Sequence, residues 1–156
     1  MKIRGIELAL HDNEDLSNHI KREKDFFEAS ILDYLKDYHP DHETILDIGA
    51  NIGNHSVFFA NFLRYTDLVA FEPIPANFKL LMKNMKGAYH FEAYQMACSD
   101  KRGTLQMSPK LDNMGASFIH PEGSLEVKAT TIDIMNFQNV SLMKIDVEEH
   151  EPHVLE

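Results

Sequence analysis

Cationic side chains are in short supply in this chain, and the shortage bounds its partners. Lys and Arg total 15 against 25 Asp and Glu, a formal net charge of −10. That balance disfavours nucleic-acid backbones and anionic membranes as main partners. Cysteine is scarcer still. Cys98 stands alone, so no internal disulfide can form, which points to a reducing, cytoplasmic compartment. No apolar run approaches the ~18 residues of a membrane span. Met1–Arg4 leads into mixed residues rather than the apolar stretch of a signal peptide. Internal repeats, low-complexity tracts and linkers are missing too. What is present is 156 residues with an ordinary 44% hydrophobic content, enough for a globular core. Residues 1–43 are expected to form a strand-and-helix cap, and 44–156 the ligand-binding domain.

The chain is organised around Thr44–His55, T-I-L-D-I-G-A-N-I-G-N-H. Ile45, Leu46 and Ile48 read as a short buried strand, with Asp47 near its end. Gly49 and Gly53 bracket a tight turn through Ala50 and Asn51. Glycine tolerates positive φ and lets a ligand approach the backbone, and Asn tolerates the left-handed region better than most residues. Ser56–Tyr65 then reads as a mostly buried helix. Strand, glycine turn and helix make the geometry of a nucleotide-type site, and open N–H groups at the helix start suit an anion. A dinucleotide fingerprint would need glycine at 51 and 54, where this chain has Asn. A nicotinamide-dependent oxidoreductase is disfavoured accordingly.

Asp67–Glu72 predicts a second buried strand ending in an acid, with Pro73 after it. Glu72 lies 19 residues past Gly53. An acid at that distance can accept hydrogen bonds from both ribose hydroxyls; the plainer reading is a cap on the following helix. Elsewhere, Ile3–Leu10 reads as an edge strand, and Leu16–Lys24 as a short charged helix or loop. Asp25–Tyr38 reads as a helix with Phe27, Ile31, Tyr34, Leu35 and Tyr38 on one apolar face. That helix either simply covers the sheet or reaches the ligand through Phe27 and Glu28. Asn77–Met85 is amphipathic. Tyr89–Ala97 is a third strand region, followed by Cys98-Ser99-Asp100. Ser99 and Asp100 either approach an adenine amino group or form a turn. Thr104–Met107 and Glu126–Thr131 read as strands around Ser108–Ser124, a lid or a plain loop.

Ser141–Val147 predicts a further buried strand carrying Lys144 and Asp146, with Glu148 just beyond. Charges there are costly unless paired or functional, and they read as site residues ahead of a structural ion pair. His150 and His153 have metal-compatible spacing, but a Glu-rich helix start explains them better, and no metal is expected.

Taken in order, L-D-I-G-A-N-I-G-N-H, A-F-E-P, T-I-D and M-K-I-D-V-E-x-x-E-x-x-V-L resemble the FkbM family of methyltransferases. The resemblance runs from about Glu28 to Glu156. It implies an α/β, doubly wound, Rossmann-like sheet with helices on both faces, and S-adenosylmethionine as cofactor. A sulfonium cofactor also suits an acidic chain. Methyl transfer to a hydroxyl of a sugar, glycan or natural product is the implied activity. Cofactor roles fall to Asp47, Gly49, Asn51, Gly53 and Glu72, and Lys144, Asp146 and Glu148 would lie by the methyl group and acceptor. Two departures stand out. The family usually has Gly where this chain has Glu149. Its pattern also continues beyond Glu156, by on the order of 50 residues on typical element lengths. The chain is therefore expected to lack C-terminal strands, leaving a sheet edge that favours a completing chain or a homo-oligomer. A non-catalytic cofactor-binding remnant is the rival expectation.

Overall fold

The computed structural model describes residues 1–108, 110 and 117–156. The middle of the Ser108–Ser124 loop lies outside the described residues.

Arg4 and Gly5 break the expected first strand. Both have positive φ (47° and 90°), and they turn β1 (Lys2–Ile3) back on β2 (Ile6–Glu7) as an antiparallel hairpin. Arg4 then reaches Asp25 at 2.7 Å and Asp33 at 2.5 Å, tying the hairpin to the helical region. Helix α1 (Asp15–Glu23) is capped by the Glu14 carboxylate, which accepts from the amides of Leu16 and Ser17.

Helix α2 spans Ala29–Tyr38, four residues later than the sequence suggests, because Glu28 takes a left-handed conformation (φ 59°). Its buried side is also different. Leu32 turns inward, with Leu35 partly buried, whereas Ile31, Tyr34 and Tyr38 are 56%, 55% and 70% exposed. Of the expected apolar face, Phe27 and Leu35 pack against the core, and Ile31, Tyr34 and Tyr38 face solvent.

The chain then enters a parallel βα repeat. β3 (Thr44–Ile48), α3 (Asn54–Phe62), β4 (Asp67–Phe71), α4 (Pro75–Asn84) and β5 (Phe91–Tyr94) follow in turn. The expected single strand through Ala97 divides. β6 (Ala97–Cys98) belongs to another sheet, with β7 (Gly103–Ser108), β8 (Phe118–Ile119) and β9 (Leu125–Thr130). After the short helix α5 (Ile132–Met135), β10 (Val140–Ile145) returns beside β3, and α6 (Glu151–Leu155) follows. The central sheet has the order β10-β3-β4-β5, all parallel, and the second sheet the order β6-β9-β7-β8. The fold is the expected α/β class with a Rossmann-like parallel sheet. Among the described residues, no helix is long and apolar enough to cross a membrane.

Strand alternation sorts the core into two layers. Ile45, Leu68 and Ala70 face α3, α4 and the N-terminal helices, packing with Val57, Phe58, Leu81, Ile20 and Leu32. Leu46, Ile48, Val69 and Phe71 face the opposite side, against Cys98 and Val154. Asp47 interrupts this pattern. It is a carboxylate, fully buried, the fourth residue of a five-residue buried strand.

Candidate functional site

Buried Asp47 is tolerable because two elements bring it partners. Ser56, in the first turn of α3, donates to Oδ2 at 2.6 Å. Lys144 sits opposite Asp47 in the β10–β3 register and meets Oδ1 at 3.2 Å. The lysine does not complete a hydrogen bond to Oδ1; it donates instead to the carbonyl of Gly49, at 2.7 Å. Burial opposes the charge on Asp47, but the Lys144 ammonium, His55 and the Ser56 hydroxyl together hold its carboxyl below the ordinary range. Lys144 is also 3.7 Å from Asp146.

The glycine turn is shaped by chain-to-chain contacts. Gly49 (φ 75°) lies against the backbone of β10's end, where any Cβ would overlap the carbonyl oxygen of Asp146. Gly53 (φ 87°) lies against α4, and a Cβ there would stand 2.8 Å from Leu81 Cδ1. Asn51 takes the left-handed region expected of it, at φ 51°. The close approaches thus come from Asp146 and Leu81, parts of this chain. Four of the turn's amides are likewise committed. Those of Gly49 and Ala50 donate to the carbonyl of Phe71, that of Gly53 to Ala50, and that of Asn51 to Glu72 Oε2 at 2.8 Å.

Glu72 therefore serves as more than a helix cap. Its Oε1 accepts from the amide of Ile74, the residue before α4, and its Oε2 from the glycine turn. It is 4% exposed and lines the cavity described below. Burial pushes its carboxyl up to about 7, although the Ile74 and Asn51 amides pull the other way.

A cavity of about 360 Å³ opens at the carboxyl ends of β3, β4 and β10. Of the residues the sequence singles out, Phe27, Gly49, Asn51, Glu72, Lys144, Asp146 and Glu148 share its wall. Asp47 is behind the wall, holding Lys144. Gly53 is likewise behind it, packed on Leu81. Glu28 stays outside and grips a wall residue, His55, at 3.0 Å. Ser99 and Asp100 are outside as well. Ser99 donates to Asp100 and meets His150 at 2.9 Å, and Asp100 pairs with Lys101. Their neighbour Cys98 reaches the wall, its thiol pushed up to about 12 by burial.

Several wall residues were not anticipated as site residues. His55 is buried at the start of α3, and burial first, then Lys144, holds its imidazole below its ordinary value. Asn54 clamps the backbone of Phe27 from both sides, accepting from its amide at 2.9 Å and donating to its carbonyl at 3.2 Å. Phe27 is thereby fixed in the wall. Asn77 is fully buried, its Oδ1 2.9 Å from His11 Nε2. These partners are distant in sequence, and no motif or spacing in the chain marks them.

At the other end, Asp146 is 55% exposed and Glu148 half-buried. Burial, then the Asp146 charge, raises the Glu148 carboxyl. Glu148 and Glu149 both adopt positive φ, 51° and 69°. Glu149 thus takes the conformation that a glycine would take without strain.

The residues present suit a nucleoside-type ligand. Asn51 Oδ1 and Asn77 Nδ2 have no hydrogen-bond partner among the described residues, and both side chains belong to the cavity wall. Glu72 accepts one backbone amide at each oxygen, with the Asn77 side chain close enough to favour its charged form, and its carboxylate still has lone-pair capacity left.

No curated protein matches the chain. Among solved structures, it is similar to methyltransferase FkbM from Methylobacillus flagellatus KT, with a TM-score of 0.53 at 16% identity. The match covers 73% of this chain and 28% of that one, so the chain spans little more than a quarter of that protein's length. It is a likeness of fold. A protein described as an rRNA methylase, from Clostridium thermocellum, overlaps less, with a TM-score of 0.40 and 15% identity over 45% of this chain and 40% of that one. The family model for the methyltransferase FkbM domain matches residues 47–156, and the chain belongs to that family of methyltransferases.

Proposed function

We propose that this chain binds S-adenosylmethionine in the cavity at the strand ends and transfers its methyl group to a hydroxyl of a sugar, glycan or natural product. The observation that carries the reading is Glu72, a buried strand-end acid whose remaining lone pairs line the cavity beside Asn51 and Asn77. Its carboxylate would accept from the two ribose hydroxyls while the Asn51 and Ile74 amides hold it in place. Gly49 and Asn51 supply the floor, and Lys144 keeps that floor in position through the Gly49 carbonyl.

When bound, the cofactor supplies an electrophilic methyl group. The protein's task is to hold an acceptor oxygen about 3 Å from that carbon, in line with the breaking bond. Asp146 and Glu148 stand at the open end of the cavity and orient the acceptor hydroxyl through hydrogen bonds that lower the cost of losing its proton. No wall cation is free to hold an acceptor carboxylate or phosphate among the described residues, since Lys144 is engaged by Asp47 and Gly49. A neutral polyhydroxyl acceptor is consistent with that wall.

Calorimetric titration with S-adenosylhomocysteine tests the cofactor assignment. Binding that Glu72→Ala abolishes supports it, and a folded chain that binds nothing refutes it. Asp146→Asn should lower turnover far more than cofactor affinity. Equal losses in both would remove Asp146 from the chemistry.

A further inference from the structure

His150 has no part in the roles assigned above, yet it is 9% exposed and lines the cavity. The chain is bent to put it there. Two consecutive non-glycine residues, Glu148 and Glu149, hold left-handed φ just before it. Such conformations are costly for residues with a Cβ, and they persist where the surrounding structure over-determines them. Their result is that His150 turns back to the end of β6 and meets Ser99 Oγ at 2.9 Å through Nε2.

A proton count fixes the tautomer. A serine hydroxyl has one proton to give. Ser99 gives it to Asp100 Oδ1 at 3.0 Å, and the Asp100 carboxyl is held below its ordinary range by Lys101 and then by Ser99, so it is ionised and can only accept. Ser99 must then accept from His150, so Nε2 carries the imidazole proton and the lone pair is on Nδ1. Burial, then His153, keeps the ring neutral near pH 7, against the opposing charges of Asp100 and Glu151. A base oriented by a second group that is itself held by a third is the arrangement general-base catalysis uses.

We propose that His150 is the proton acceptor of the methyl-transfer site, locked as the Nε2–H tautomer by Ser99 and Asp100. The inference rests on the methyl-transfer reading above. As the acceptor oxygen forms its bond to the methyl carbon, the hydroxyl proton passes to His150 Nδ1. The electron pair of the breaking carbon–sulfur bond stays on sulfur. Asp146 and Glu148 then orient the hydroxyl and leave the proton to the imidazole.

The test is nitrogen-15 NMR of the full chain, labelled at its nine histidines, with the His150 signals assigned by loss in His150→Gln. The expected result is a neutral Nε2–H imidazole at pH 7, titrating below the ordinary value of about 6.5. Asp100, Glu151, His153 and Cys98 are the titratable neighbours to follow alongside it. Ser99→Ala should turn the single tautomer into a mixture. An Nδ1–H tautomer or an imidazolium at pH 7 overturns the proposal. With methyl glycosides as acceptor probe, His150→Gln should lower kcat by ~10²–10⁴-fold. The S-adenosylhomocysteine Kd should stay within about twofold, since a group acting only on the acceptor's proton adds nothing to ground-state cofactor binding. Unchanged kcat also overturns it. A wild-type chain that binds no S-adenosylhomocysteine strikes at the cofactor reading instead, and the tautomer measurement separates the two failures.

Discussion

Glu72 makes the stability of the ligand-free protein depend on pH in a direction opposite to that of most carboxylates. Its folded-state value is about 7, against 4.5 for the free group. The folded state therefore holds the proton more tightly than the unfolded chain. The stabilising contribution is fully present below pH 4.5, begins to fade above it, and is gone once the pH has passed 7. A shift of this size corresponds to ~3 kcal/mol at ~1.4 kcal/mol per unit. Urea unfolding of the wild type and Glu72→Gln between pH 4.5 and 8.5 isolates the term. The wild type should lose ~3 kcal/mol more than the variant across that range. The variant's own cost, from turning an amide –NH₂ toward one of two backbone donors, is independent of pH and drops out of the comparison. Ligand binding should reverse the trend. Ribose hydroxyls donating to Glu72 favour its charged form, so S-adenosylhomocysteine should release about half a proton at pH 7 and bind more tightly as the pH rises. Calorimetry in two buffers of different ionisation enthalpy counts that proton. Parallel unfolding profiles for the two proteins, together with no proton release on binding, would refute the reasoning.

Gly49→Ala should fail to fold or melt far below the wild type in a thermal scan, because its Cβ would overlap the Asp146 carbonyl and its φ is 75°. Lys144→Met strands the buried Asp47 carboxylate and should cost about 3–5 kcal/mol in urea unfolding. Adding Asp47→Asn should recover most of the loss, and a double variant no better than the single one would dissolve the pairing. Glu149→Gly should raise stability by about 1 kcal/mol through relief of the left-handed conformation, measured by the same unfolding curve.

The glycine turn and its flanking strands were legible because each depends on local chemistry. A run of Ile and Leu ending in Asp-Ile-Gly, and another ending in Phe-Glu-Pro, identify buried strands and their ends without reference to the rest of the chain. Lys144 and Asp146 were legible as charges out of place. The partners that hold Lys144 were not. Lys144 was expected at the acceptor, and its ammonium is engaged with Gly49 and Asp47, which depends on which strand β10 joins. The inward face of α2 was misassigned because its pattern permits two stripes; Arg4 holding Asp25 and Asp33 accompanies the one that buries Leu32. The break between β5 and β6 has no punctuating glycine or proline, so a strand that changes sheets reads as one strand. His55 with Glu28, and His150 with Ser99, join residues far apart in sequence, and no periodicity encodes them.

The Lys144–Asp47 pairing also has a consequence for how the sheet assembles. β10 must find β3 across nearly the whole domain; Lys144 and Gly49 are 95 residues apart. Searches over such separations are slow and open to error. A slip of one residue would swing every β10 side chain to the other face. Lys144 would then enter the apolar layer that holds Leu46, Ile48 and Val154, and Asp47 would lose its counter-ion at the same moment. Both penalties fall on misaligned sheets and neither on the native one, so the ion pair acts as a checksum on strand alignment.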